Sequence, residues 1–165
     1  MLFSRISLSK IKVAPWFNAV ADWSIWLVPI ALCSLATFHD MRRREIPDWI
    51  PLAILIATLV VWSSGVSGFA LSHHLAGGVI ATVFALVVGR GDRFGGGDVK
   101  LFGALGAWFG LFAVFPLALW IAIAGLPLAI VAAIRKQTDF AYAPAIFAGV
   151  CVHCASPDLI QRIML

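Results

Sequence analysis

Two aspartates stand where a pair of carboxylates could do chemistry together. Asp98 directly follows the glycines at 95–97, and Asp40 lies just ahead of a short basic segment, each at the edge of an apolar run. An acidic residue at the edge of a membrane helix is costly and is commonly functional. Two carboxylates in one partly dry site hold a proton between them, because both cannot easily ionise. One can then act as general base on a water molecule while the other, protonated, polarises a carbonyl group. Such a pair hydrolyses a bond without a metal or cofactor.

The composition indicates that these aspartates belong to an integral membrane protein. Of the 165 residues, 62% are hydrophobic and 12% are charged, whereas a soluble domain has about 45–50% apolar and about 25% charged residues. The basic residues lie between apolar segments and form no single patch, which argues against a nucleic-acid partner. We therefore expect the lipid bilayer to be the surroundings of this chain.

Uncharged runs of suitable length predict an all-α protein with about six transmembrane helices joined by short loops. A membrane helix needs about 20 largely apolar residues, whereas the longest run, 101–134, has 34. One straight helix of that length would measure about 50 Å, well beyond a hydrocarbon core of about 30 Å. With Gly110 and Pro116 near its middle, this run is predicted to be a hairpin of two spans. The other predicted spans are 23–39, 49–72, 75–89 and 140–157.

The predicted organisation is an interfacial amphipathic lead-in at 1–22, a six-helix domain at 23–157 and a short tail at 158–165. Basic residues favour the cytoplasmic side of a membrane protein. With both termini outside, eight of the twelve basic residues fall inside and four outside. This orientation places Asp40, at the end of the first span, and Asp98, at the start of the fourth, together at the cytoplasmic face. The inside residues are Arg42, Arg43, Arg44, Arg90, Arg93, Lys100, Arg135 and Lys136.

Two motifs resemble those of the type IV prepilin peptidases, which are membrane aspartic proteases. The first is Gly95-Gly-Gly-Asp98, read as G-x-G-D, and the second is Asp40 followed by Arg44-Glu-Ile-Pro47. The tract 142–149 also looks like the last helix of that family. The resemblance implies that Asp40 and Asp98 are the catalytic pair. It further implies cleavage of the leader of prepilin-like single-span precursors at the bacterial inner membrane, in association with pilus assembly machinery.

The sequence departs from the family pattern in two places. Asp48 stands where the family commonly has Asn, and we expect it to pair with one of Arg42, Arg43 or Arg44. The paired-cysteine segment that larger members carry for N-methylation has no counterpart in this sequence. The chain is therefore similar to the short, peptidase-only members of tight-adherence (Flp-type) pilus systems, and methylation is not expected.

Further residues of the active-site loops are Gly95, Gly97, Lys100, Arg44 and Pro47. The glycines let a substrate backbone approach closely and let Asp98 move, or form a flexible loop. Lys100 holds a substrate carboxylate, lowers a nearby pKa, or anchors its helix at the interface. The blander alternatives for the pair are that Asp40 caps a helix end or pairs with Arg43, and that Asp98 is the N-cap of the fourth helix.

Other functions and sites stay open at this stage. A presenilin-like intramembrane protease of broader substrate range would share the G-x-G-D motif, and a small transporter or assembly scaffold could use the two aspartates without catalysis. Cys151, His153 and Cys154 look like half of a metal or redox site, but a structural four-cysteine zinc site would need a second pair. Helix packing is the preferred interpretation of these three, and no metal is predicted.

Overall fold

The computed structural model describes residues 23–65, 67–89, 95–135 and 142–156, and all regular structure in these ranges is helical. The prediction of an all-α protein is thereby confirmed. The predicted lead-in at 1–22 and tail at 158–165 lie outside the described residues. The described residues form six α-helices, namely α1 (Trp23–Arg43), α2 (Trp49–Ser63), α3 (Leu71–Val88), α4 (Gly96–Phe109), α5 (Val114–Ile134) and α6 (Ala143–Ala155).

Several helix boundaries differ from the predicted runs. Helix α1 continues beyond His39 to Arg43, so Asp40 lies inside its last turn. Helix α2 ends at Ser63 instead of continuing to residue 72; the hydroxyl of Ser63 donates to the Val60 carbonyl, and Gly65 has a positive φ of 74°. Side-chain bonds of this kind compete with the helical ladder and favour helix ends. Hydropathy alone does not report such local hydrogen bonds, so the predicted span at 49–72 is longer than the helix.

Helix α3 begins at Leu71, earlier than the predicted residue 75, and includes both histidines in its first turns. His74 Nδ1 lies 2.8 Å from the carbonyl oxygen of Ala107 on α4, and the His73 ring stacks on Phe69 with centroids 4.2 Å apart. These contacts hold two polar side chains against the protein at the end of the molecule away from the aspartates.

The long run 101–134 is divided into two helices, as predicted, and the break lies at Gly110. Gly110 has φ of +83°, which a residue with a side chain rarely adopts. A short 3₁₀ turn, Leu111–Ala113, then leads into α5. Pro116 falls in the first turn of α5, where its missing N–H removes no helical hydrogen bond. Gly110 and not Pro116 therefore ends α4.

Helix α4 is the most enclosed helix of the described structure, because every residue from Leu101 to Trp108 is buried. It packs closely against α3 through small residues. A Cβ atom on Gly106 would collide with the Ala81 side chain and the Gly77 carbonyl. This contact fixes the depth and direction of the helix that carries Asp98.

The outer helix faces are apolar. Helix α3 and the segment Leu111–Ile134 are long and apolar enough to cross a membrane, and only 22% of either apolar window is buried inside the protein. The other helices do not meet the same length and composition test, so the count of six spans stays a prediction. Exposed aliphatic side chains on α2, α3 and α5 include Leu52, Ile56, Leu59, Val79, Val83, Leu86, Leu119, Ile123, Leu126 and Ile130.

Candidate active site

Asp40 is held by the beginning of another helix. Its side chain is 7% exposed, and Oδ2 accepts a hydrogen bond of 3.1 Å from the backbone N–H of Ala143, the first residue of α6. The Thr37 hydroxyl, one turn earlier on α1, donates to the Ala143 carbonyl at 3.2 Å. The first N–H groups of a helix lack partners within it and carry partial positive charge. Asp40 therefore caps the N-terminus of α6 with its side chain.

Asp98 lies in the first turn of α4, before the apolar run that starts at Leu101. Gly95 is the N-cap, so the alternative that Asp98 itself caps the helix is wrong. The Asp98 side chain is 8% exposed, and its Oδ1 atom has no hydrogen-bond partner among the described residues. Burial, and secondly the charge of Asp40, raise the pKa of Asp98 from 3.8 to about 6, against the opposing effect of the Gly95 backbone amide. Asp98 is thus the carboxyl that retains a proton more readily than usual.

Both aspartates line one open cavity of about 520 Å³. Its wall is built from the loop between α1 and α2 and from the glycines before α4. Of the predicted loop residues, Gly95, Gly97, Arg44 and Pro47 lie here, and Lys100 does not. The lining residues are Asp40, Arg43, Arg44, Glu45, Ile46, Pro47, Asp48, Gly95, Gly96, Gly97 and Asp98.

Two of the glycines before Asp98, Gly96 and Gly97, serve different purposes. A Cβ atom on Gly97 would lie 2.9 Å from Cβ of Ile46, so a glycine is needed for α4 to approach the α1–α2 loop. Gly96 faces open space, with no atom within 4 Å of a Cβ built there. Gly97 therefore brings the two aspartate-bearing elements together, whereas Gly96 leaves room beside the carboxylates.

Residues 27–130 match the sequence model of the Type IV leader peptidase family. This stretch covers more than half of the chain and contains both aspartates. The chain belongs to this family. Among curated proteins, it is 31% identical over 175 aligned residues to the Prepilin leader peptidase/N-methyltransferase of Neisseria gonorrhoeae, and 28% identical over 131 residues to the protein of the same name from Pectobacterium carotovorum subsp. carotovorum.

These alignments cover 96% and 74% of this chain, but only 60% and 46% of the respective relatives. The chain thus spans about half the length of the curated leader peptidases it matches. No solved structure matches the chain.

The acidic residue after Ile46-Pro47 in this leader peptidase family member forms an ion pair. Asp48 Oδ1 lies 2.7 Å from Nζ of Lys100, and both side chains are largely exposed. The predicted pairing of Asp48 with an arginine of the 42–44 segment is wrong: Asp48 stands at the N-cap of α2, above the first turn of α4, and Arg42 lies over the Phe38 ring instead. The pair links the loop after Asp40 to the helix that carries Asp98.

Arg44 marks the end of α1 with an unusual backbone conformation. Its φ of 53° is in the left-handed region, and its N–H donates to the Asp40 carbonyl at 2.9 Å. Few residues with side chains adopt this conformation, and those that do are concentrated at functional sites. The conformation turns the chain sharply into the loop that forms one wall of the cavity.

The structure adds residues that the motifs did not indicate. Thr37 and the backbone of Ala143 hold Asp40, and Tyr142 lies within electrostatic range of Asp98. The tract 142–149 resembled the last helix of the leader peptidase family, but no residue type in it signals contact with Asp40. Only the packing of α6 against α1 reveals that role.

The cysteine-containing segment lies on α6, away from the aspartates. His153 is buried, and its ring meets Phe109 of α4 edge-on with centroids 4.8 Å apart. Cys151 and Cys154 are partly buried thiols. In the part of the chain that the structure describes, no group of three or more His, Cys, Asp or Glu side chains could hold a metal ion.

Proposed function

We propose that this chain is a membrane aspartic endopeptidase that cleaves the leader peptide of prepilin-like precursors. Membership of the Type IV leader peptidase family supports the reaction class. The observation that carries the proposal is the arrangement of Asp40 and Asp98, two buried carboxyl groups in unlike surroundings on one open cavity. Such a pair can divide acid and base roles.

The different contacts of the two aspartates support a division of roles within the pair. Asp40, bonded to the N-terminus of α6, enters as the carboxylate and takes a proton from water as the water oxygen adds to the substrate carbonyl carbon. Asp98 enters protonated and gives its proton to the carbonyl oxygen. Asp40 then passes its proton to the amide nitrogen, the C–N bond breaks, and Asp98 regains a proton from a hydroxyl of the intermediate. Both carboxyl groups return to their starting states without a cofactor.

The proposed site lies at the cytoplasmic face of the inner membrane, in a protein of six membrane-spanning helices. Contiguous apolar surface on this scale is not stable against water and marks contact with lipid or a partner. The exposed aliphatic faces of α2, α3 and α5 support a membrane location. Basic residues at 42–44 and Lys100 near the cavity support the cytoplasmic side, where a substrate leader would lie.

The proposal covers the peptidase step alone, because a carboxylate pair accounts for hydrolysis and not for methyl transfer. Flp-type precursors are the substrates we propose, as the resemblance to short, peptidase-only family members implies. The relatives from Neisseria and Pectobacterium are named for both activities, and the second activity is not transferred to this chain.

The test is to co-express a prepilin-like precursor with variants in which one carboxylate is replaced without a change of shape. Asp40→Asn and Asp98→Asn should each reduce leader removal at least about 100-fold, since each removes one half of the acid–base pair. Asp48→Asn, which changes a carboxylate bonded to Lys100, should cause a much smaller loss. Leader removal is measured as a change in the gel mobility of the precursor. A wild-type rate in either Asp40→Asn or Asp98→Asn would refute the mechanism.

A further inference from the structure

A second cavity, of about 340 Å³, opens between α3 and α5. These two helices both pack on their neighbours but have few contacts with each other. The cavity is lined almost wholly by apolar side chains, with α4 and α6 forming its floor. We call it the lateral groove; its lining includes Phe102, Ala118, Leu119, Ala122 and Tyr142.

The lateral groove is continuous with the aspartate site along two helices. Phe102, on the floor, follows Asp98 by four residues on α4, so the two side chains lie on the same helix face, about 6 Å apart along the axis. Tyr142, also on the floor, directly precedes the Ala143 N–H that binds Asp40. The groove therefore ends about one helical turn from both carboxylates.

The size and chemistry of the groove fit side chains of a helix more closely than a whole ligand. Its volume is at the small end of the range for binding pockets, about 300–1,000 Å³, and admits a few large side chains. An amphipathic or apolar helix presents such side chains at i, i+3 and i+4 when it docks in a groove. Ala118 and Ala122 are four residues apart on α5, and their small side chains leave space in this wall of the groove.

We propose that the lateral groove between α3 and α5 receives the apolar helix that follows the scissile bond of the substrate. This proposal rests on the proposed peptidase function and adds the docking surface that brings the bond to the carboxylates. A helix whose first turn lies in the groove leaves only a few extended residues, at about 3.3 Å each, to reach Asp40 and Asp98. The groove thus couples recognition of the membrane helix to the position of cleavage.

The first experiment compares two substrates, a complete membrane-anchored precursor and a soluble peptide that contains only the leader and the first residues after the cut. Ala122→Trp fills the groove from an exposed position on α5, and Ala31→Trp places the same side chain on an exposed position of α1 as the matched control. The preference for the precursor over the peptide, as a ratio of kcat/KM, should fall about tenfold in Ala122→Trp and stay at the wild-type value in Ala31→Trp.

A second experiment detects the docked helix directly. With Cys151 and Cys154 replaced by Ala, Leu119→Cys in the groove should form a disulfide with a cysteine in the first apolar turn of the precursor when an oxidant is added to isolated membranes. Leu59→Cys, similarly exposed on α2, should not. An unchanged preference in Ala122→Trp together with no cross-link at Leu119 would show that lipid fills the groove, and would overturn the proposal. If the wild type cuts neither substrate, the peptidase function itself fails.

Discussion

At the scale of residues, the two aspartates are chemically identical but differently supported. Asp40 accepts a hydrogen bond from the first backbone N–H of α6, whereas Asp98 has a buried oxygen without a partner among the described residues. Burial raises the pKa of Asp98 more than the Gly95 backbone amide lowers it, so the neutral form of this carboxyl is favoured. The sequence alone shows two aspartates of equal standing, and only their neighbours in space support the proposed division into acid and base.

The raised pKa of Asp98 predicts a pH-dependent stability. The folded state binds this proton more tightly than the unfolded chain, so the contribution to stability is complete below about pH 3.8 and is lost as pH rises through about 6. The shift from 3.8 to about 6 corresponds to about 3 kcal/mol at about 1.4 kcal/mol per unit. The detergent-solubilised protein should therefore have a Tm several degrees higher at pH 5 than at pH 7.5.

The variant Asp98→Asn separates this effect from other titrating groups. It cannot ionise, so the difference in Tm between the two pH values should be smaller than in the wild type. Asp48→Asn, at an exposed carboxylate paired with Lys100, serves as the control and should retain the wild-type difference. An identical pH dependence in the wild type and Asp98→Asn would contradict the assignment of the proton to Asp98.

At the scale of elements, the contact between α3 and α4 sets the position of the G-x-G-D helix. Glycines on both helices allow backbone to approach backbone, which is a common way for membrane helices to associate. Gly78 and Gly103 lie in the same contact: a Cβ on Gly78 would lie 3.1 Å from the Ala107 side chain, and one on Gly103 would collide with the Thr82 hydroxyl. This interface is therefore tight along several turns.

Adding a methyl group at two glycines of α4 should have opposite consequences. Gly106→Ala forces a Cβ into the Ala81 side chain and the Gly77 carbonyl, and should destabilise the fold by about 1–3 kcal/mol, the usual cost of overpacking. Gly96→Ala adds the same atom in open space and should be neutral or stabilising, by at most about 1 kcal/mol, because alanine favours the helix. Thermal unfolding in detergent measures both, and equal stability of the two variants would contradict the tight interface.

Helix existence could be predicted from hydropathy, whereas the contacts of the site could not. Runs of apolar residues between charges are a property of the local sequence, and all six helices lie within or across the predicted runs. The Asp48–Lys100 ion pair and the hydrogen bond from Ala143 to Asp40 join residues far apart in the chain. From the sequence alone, each of several arginines was as good a partner for Asp48 as Lys100. The G-x-G-D pattern indicated that Asp98 is functional, but not that the contact with Ile46 requires a glycine at Gly97.

At the scale of the whole molecule, the order of the helices brings basic residues of the described segments to one end. The C-terminal end of α1 and the N-terminal end of α4 meet at the aspartate cavity. The α2–α3 connection and the Gly110 break lie one helix length away and contain no Lys or Arg among their described residues. If the helices span the bilayer, basic residues then lie at the cavity end, which the positive-inside bias assigns to the cytoplasm.

Cysteine labelling of the complete chain tests this orientation. In a variant with Cys151 and Cys154 replaced by Ala, Ser64→Cys in the α2–α3 connection should react with a membrane-impermeant maleimide in intact cells. Glu45→Cys, at the cavity, should react only after the inner membrane is permeabilised, because it then faces the cytoplasm. The side chains of Ser64 and Glu45 are both exposed. The side of the membrane on which each cysteine lies, and not its burial, therefore decides whether it is labelled. Labelling of Glu45→Cys in intact cells would place the aspartates outside, where a cytoplasmic leader could not reach them. That result would refute the proposed cytoplasmic orientation of the site.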